Sequence, residues 1–120
     1  MTVLLIAAGG LIGVLARYGL GTTVSADNQP WMTFAINMVG SLVLGAVLPW
    51  SGQLSEPVRA AIAIGFCGGF TTFSTVSVQV FLDARSGDTA FALLYLGATI
   101  AGGVLAAALG YYAGRALAYQ

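Results

Sequence analysis

The chain has 120 residues, of which 58% are hydrophobic and only 7% are charged. A soluble domain carries about 25% charged residues, so a body this small cannot cover itself for water and belongs in a membrane. Four basic and four acidic residues cancel to zero, lysine and histidine are absent and there is one cysteine, which excludes a nucleic-acid surface, an internal disulfide, a thiolate zinc site and any nucleophilic pair that needs histidine.

Crossing the hydrocarbon core takes about 20 mostly apolar residues in a helix, and four stretches qualify, at about 2–20, 31–50, 57–82 and 89–112. The first lacks the positive start of a secretory signal and reads as retained structure. It is uncharged until Arg17, which either snorkels to the interface or raises the anion concentration at a vestibule. The second span follows the polar loop SADNQP, holds no charge, and has Trp31 and Trp50 at its ends, where an aromatic belt lies. The third opens with Pro57, which suits a first helical turn, and Arg59 near the interface. The fourth precedes Arg115 and has Tyr111, Tyr112 and Tyr119 near its far boundary.

No linker or low-complexity tract divides the chain, so residues 1–120 form one four-helix transmembrane domain with both termini on one side. Arg59 and Arg115 then lie toward the face of the termini, and Arg17 and Arg85 toward the other. Two against two leaves no orientation bias under the positive-inside rule. Either the chain inserts both ways up, and inverted copies pair about an axis in the membrane plane, or so few charges make the rule uninformative.

Glycines pair at four-residue spacing: Gly9 with Gly13, Gly65 with Gly69, Gly110 with Gly114. Small residues at that spacing let helix backbones approach in lipid, where packing and hydrogen bonds replace hydrophobic burial. The third span also carries GFCGGFTTFST over residues 65–75, a poor regular helix, since glycine costs about 1 kcal/mol against alanine. A break around Gly68 to Thr71 is expected, with freed carbonyls able to ligate a cation or freed amides an anion. The plainer alternative is a packing kink with threonine hydroxyls bonded back to the helix.

On the second span Thr33, Asn37 and Ser41 form one polar stripe, and the fourth offers Tyr95 and Thr99. Asn37 needs a partner in hydrocarbon, and either a neighbouring helix or a permeating ion and its water can serve. Amide, hydroxyl and phenyl-edge donors can replace the water shell of a small anion without trapping it in a salt bridge. A proton or cation path more often uses embedded carboxylates, and Asp27, Glu56, Asp83 and Asp88 all lie outside the middle of the spans.

The set Gly9-Gly10 with Gly13, Arg17 and Tyr18, then Asn37-Met-Val-Gly40-Ser41, then the string from Gly65 to Thr75, resembles the Fluc, or CrcB, fluoride channels along all four spans. The resemblance implies an all-α membrane protein of four transmembrane helices, the third broken near its middle, working as an antiparallel dual-topology dimer with fluoride pores along the interface. It implies a fluoride pathway of Asn37, Phe70, Phe73, Ser74, Thr75, Tyr95 and Thr99, with Arg17 at the vestibule. It also implies a structural sodium ion held by the Gly68 and Thr71 carbonyls of both chains. Two departures stand out: Val76 replaces a second phenylalanine of the pore, and Gln79 replaces a common glutamate. The partner is therefore either a second, inverted copy or a related subunit that supplies the missing ring.

The expected function is passive fluoride export across a prokaryotic cytoplasmic membrane, without catalysis. A small dual-topology multidrug exporter would share the length, but it needs a membrane-embedded glutamate in its first helix, and the first span here has no acidic residue. A non-conducting assembly subunit is the third reading, in which the polar residues only join helices.

Overall fold

The computed structural model describes all 120 residues, and every regular element in it is helical. Helix α1 (Thr2–Gly21) is followed by a short 3-10 turn (Ala26–Asn28) and α2 (Gln29–Val47), which leads into a second turn at Leu48–Trp50. The third span is composite: α3 (Glu56–Ala60), a widened π-helical stretch (Ala61–Phe66), α4 (Cys67–Phe70), and α5 (Phe73–Arg85) after two extended residues. Helix α6 (Thr89–Ala118) closes the chain. Four helical segments are long and apolar enough to cross a membrane: Thr2–Gly21, Ala26–Trp50, Glu56–Arg85 and Thr89–Ala118.

Local chemistry accounts for the boundaries. Pro30 and Pro57 sit in the first turns of α2 and α3, where a missing amide costs nothing. The Thr72 hydroxyl caps α5 by accepting from the Thr75 amide, and the Asp88 carboxylate caps α6 by accepting from the Phe91 amide. Between α5 and α6, Gly87 takes φ +98°, a conformation that costs glycine little and any other residue more. Two hydrogen bonds gather the chain ends at one face: the Thr2 hydroxyl donates to the Glu56 carboxylate at 3.0 Å, and Gln53 donates to the Ala118 carbonyl at 3.0 Å.

Packing divides the chain into two close pairs. Helix α1 lies along α3, the π stretch and α4, whereas α2 lies along α6. The glycine pairs make both contacts possible. A Cβ on Gly65 would stand 2.5 Å from the Ile6 carbonyl oxygen, and one on Gly69 2.5 Å from that of Gly10. In the other seam, Gly45 meets the Ala107 carbonyl, Gly110 that of Leu42, and Gly114 that of Ala46. Backbone thus touches backbone in both seams. After the extended residues, α5 leaves α1 and leans on α6. The small interior, with Ile36, Cys67, Phe70, Val76, Ala92 and Tyr95, forms where the two pairs meet. Many leucines and valines outside it, among them Leu4, Leu11, Leu93 and Val104, face outward, as lipid allows.

A methyl group on Gly110 would collide with the Leu42 carbonyl and approach the Ala46 amide nitrogen to 3.0 Å. Gly110→Ala is expected to destabilise the folded chain by about 1–3 kcal/mol. Gly19→Ala, in open space, should be neutral or stabilising by up to about 1 kcal/mol. Denaturant unfolding in detergent micelles, followed by tryptophan fluorescence, measures both.

Candidate functional site

The site assembles around the interruption at Thr71 (φ −86°, ψ 159°) and Thr72 (φ −150°, ψ 118°), both extended. In an unbroken helix the Thr72 amide would bond to the Gly68 carbonyl and the Thr75 amide to that of Thr71. Here the Thr72 amide donates instead to Asn37 Oδ1 at 2.9 Å, while Asn37 Nδ2 donates to the Thr72 carbonyl at 3.1 Å. The buried side-chain amide of α2 thus pairs with both backbone groups of one residue, as a neighbouring strand would. Of the two partners open to Asn37, the neighbouring helix is the one engaged here.

The Thr75 amide goes to the Thr72 hydroxyl at 3.2 Å. That hydroxyl also donates to Thr75 Oγ1 at 3.1 Å and lies 3.2 Å from Ser74 Oγ, so Thr72 ties Ser74 and Thr75 into one polar knot. The Cys67 carbonyl accepts twice, from the Thr71 amide at 3.0 Å and the Thr71 hydroxyl at 2.8 Å. The Gly69 carbonyl accepts from Arg17 Nε at 3.2 Å. The Gly68 and Thr71 carbonyls are left without their helical donors, and Gly68 is exposed, with nothing within 4 Å of where a Cβ would stand.

Two cavities flank the interruption. One of about 290 Å³ is bordered by Asn37, Gly68, Thr71, Phe73, Val76 and Thr99. The other, about 480 Å³, is bordered by Arg17, Tyr18, Gln29, Thr33 and Thr75. Thr72 borders both. A shallower recess holds Ser74, Thr75 and Gln79. Phe73 is 74% exposed, on the outer face of the chain. Phe70 stands apart from these cavities: it is buried and stacks on Phe66, with ring centroids 5.2 Å apart and planes 14° from parallel. Val76 is buried too.

Tyr95 is fully buried at 0% exposure. Its ring is held edge-to-face by Trp31, at 6.3 Å and 87°, and stacked on Phe91, at 6.0 Å and 5°. Its hydroxyl makes no well-formed hydrogen bond, the Thr33 side chain beside it being within weak reach, and the buried Thr99 hydroxyl is unpartnered. Most buried hydroxyls find a partner, and one left alone is costly enough to need a reason.

Two participants were not singled out from sequence. Thr72 carries a legible signal, a threonine three residues ahead of Thr75 at a helix start, which is N-cap spacing. The Gly69 carbonyl carries none, because its partner Arg17 is 52 residues away.

Residues 4–111 match the family described as CrcB-like protein, Camphor Resistance (CrcB). Proteins named fluoride-specific ion channel FluC align along nearly the whole chain. One from Thermus thermophilus is 42% identical over 119 residues, which cover 95% of this chain and 94% of that protein. The one from Gloeobacter violaceus is 41% identical over 119 residues, covering 94% and 95%. The one from Chlorobaculum tepidum is 41% identical over 107 residues, covering 85% of each. With a match of that length and identity, the chain belongs to the CrcB family.

Proposed function

We propose that this chain forms a passive, fluoride-selective channel in a prokaryotic cytoplasmic membrane, exporting fluoride that enters as neutral HF and ionises inside. The observation that carries the reading is the pair of buried, unpartnered hydroxyls of Thr99, which borders the cavity with Asn37 and Phe73, and of Tyr95, four residues before it on α6. Donors without acceptors, in a place where lipid penalises them, suit an anion that sheds its water. Near-complete alignment with proteins named fluoride-specific channels supports the choice of anion.

In this reading the interruption of the third span is the functional break. Ser74 and Thr75 offer hydroxyls along the pathway, Phe73 presents its ring edge, and Arg17 lies in the wider cavity that serves as vestibule. Phe70 contributes through its stack on Phe66, which packs the wall behind the break. The active unit is an antiparallel dimer with an inverted copy or a related subunit, for which the exposed Phe73 ring and the exposed Gly68 backbone provide the contact.

A structural sodium ion fits the same place. The Gly68 and Thr71 carbonyls, whose helical donors are engaged elsewhere, would be the backbone oxygens that hold it. Oxygen ligands are what a hard cation takes. Such an ion supplies a fixed positive charge that holds the two interrupted helices together.

Liposomes containing the purified chain should release fluoride rapidly and retain chloride, read with ion-selective electrodes; vesicles tight to fluoride would remove the channel reading. Tyr95→Phe deletes a hydroxyl that holds no partner, so unfolding should be unchanged or shifted toward greater stability. Fluoride flux should nevertheless fall about tenfold, equivalent to roughly 1.4 kcal/mol at the barrier. Asn37→Ala strands the Thr72 amide and carbonyl, so it should lose flux and about 1–3 kcal/mol of stability together. Parallel flux and denaturant-unfolding measurements separate these two outcomes.

A further inference from the structure

Arg17 is the one basic side chain that reaches the interruption, and its hydrogen bond goes to a carbonyl rather than to an acid. Gly10, Gly13 and Arg17 follow one another at spacings of three and four, on one face of α1, and all three address the same residue of α4. The Gly10 carbonyl oxygen lies where a Cβ on Gly69 would come within 2.5 Å, and a Cβ on Gly13 would lie 3.2 Å from the Gly69 carbonyl carbon. One turn further on, Arg17 Nε meets the Gly69 carbonyl oxygen at 3.2 Å. The donor that a continuous helix would bring there is the Phe73 amide, and the extended pair Thr71–Thr72 carries that amide away.

We propose that Arg17 is a positioning residue: its Nε–H replaces the missing helical donor on the Gly69 carbonyl and clamps the α4–α5 junction from the α1 side, opposite the Asn37 clamp on Thr72. This role deepens the channel reading and, as a matter of transport, rests on it. It differs from electrostatic attraction of anions, which any cation at the vestibule would provide. A guanidinium can do both at once, because Nε is one donor among five in a rigid fork. The half-buried side chain spends that one donor on Gly69 while bordering the wider cavity.

Side-chain lengths separate the two roles. Glutamine places its Nε2 the same number of bonds from Cα as arginine places Nε, keeping the donor without the charge. Lysine keeps the charge and has a methylene at that position. Methionine matches the length with neither. Fluoride flux of Arg17→Gln, Arg17→Lys and Arg17→Met in liposomes should rank Gln above Lys and Met. The latter two should lose about tenfold in maximal flux, the scale of one hydrogen bond made by a charged donor, with half-saturating fluoride little changed. Raising the salt concentration should not narrow the gap, as it would for a screened vestibule charge.

Amide hydrogen exchange across residues 67–75 of the same preparations reads the clamp without transport. Protection should fall in Lys and Met and hold in Gln. Retention of flux and protection by Lys with loss in Gln, equal loss in all three, or no loss in any would each overturn the role. Should the unaltered chain pass no fluoride, the channel reading falls while the exchange pattern still decides the clamp. Should the Lys variant fail to fold, the neutral, length-matched Gln and Met pair decides it.

Discussion

Hydrocarbon offers no hydrogen bonds, and one of this chain's four long apolar helical segments carries two extended residues, Thr71 and Thr72. Most of what is unusual in the structure answers to that one constraint. Ending α4 at Phe70 and starting α5 at Phe73 frees carbonyls on one side and amides on the other, and each unsatisfied group in hydrocarbon costs several kcal/mol. Side chains meet part of that cost, while the Gly68 and Thr71 carbonyls stay without their helical donors. Asn37 takes both backbone groups of Thr72, the Thr72 hydroxyl takes the Thr75 amide, and the Thr71 hydroxyl joins its own amide on the Cys67 carbonyl. The interruption thus has named partners, and the Thr71 hydroxyl bonded back to the Cys67 carbonyl is a feature that a packing kink shares.

The same junction explains why the helices pair as they do. Before it, the third span lies in backbone contact with α1; after it, the chain leans on α6. A continuous helix could not leave one neighbour for another so abruptly, and the change of partner opens a cavity on each side of Thr72. Close seams on either flank then keep the junction from collapsing. Glycines of α1 and of the third span bring those two backbones together, while Gly45, Gly110 and Gly114 lock α2 against α6. Rigid flanks around an irregular centre let a few side chains hold fixed positions without ionic bonds.

Legibility from sequence followed the range of the interactions. Four membrane spans were plain from composition, because lipid demands long apolar runs and the chain supplies them with little polar interruption. Span ends were less so. Helix α6 continues past Tyr112 to Ala118, and α2 is preceded by a helical turn at Ala26–Asn28. The glycine-threonine string pointed to Gly68 to Thr71, whereas the extended residues are Thr71 and Thr72. Local propensity located the weak stretch, and a side chain from α2 decided which residue within it left the helix. The π stretch at Ala61–Phe66 had no signal at all; it lies against the glycines of α1, in contacts between residues 52 or more positions apart. Asn37 was identifiable because an amide in hydrocarbon always needs a partner; the partner's identity was not. Phe70 and Phe73, both given to the pathway by the resemblance, differ in surroundings: one ring is buried in a stack and the other faces outward.

Charge placement bears on how a site of this kind can release what it binds. An embedded arginine offering its whole guanidinium to an anion would hold it tightly, since the interaction strengthens as the dielectric falls. In this chain part of that group is committed to the Gly69 carbonyl, and the side-chain donors Asn37 and Thr99 that border the smaller cavity are neutral. Neutral donors compensate lost hydration in proportion to their number and leave no fixed counter-charge to escape from. Where conduction requires an ion to enter and also to leave, many weak contacts do better than one strong contact. A chain with four arginines and no lysine, in which the arginine that reaches the interruption is committed to a backbone carbonyl, is arranged along those lines.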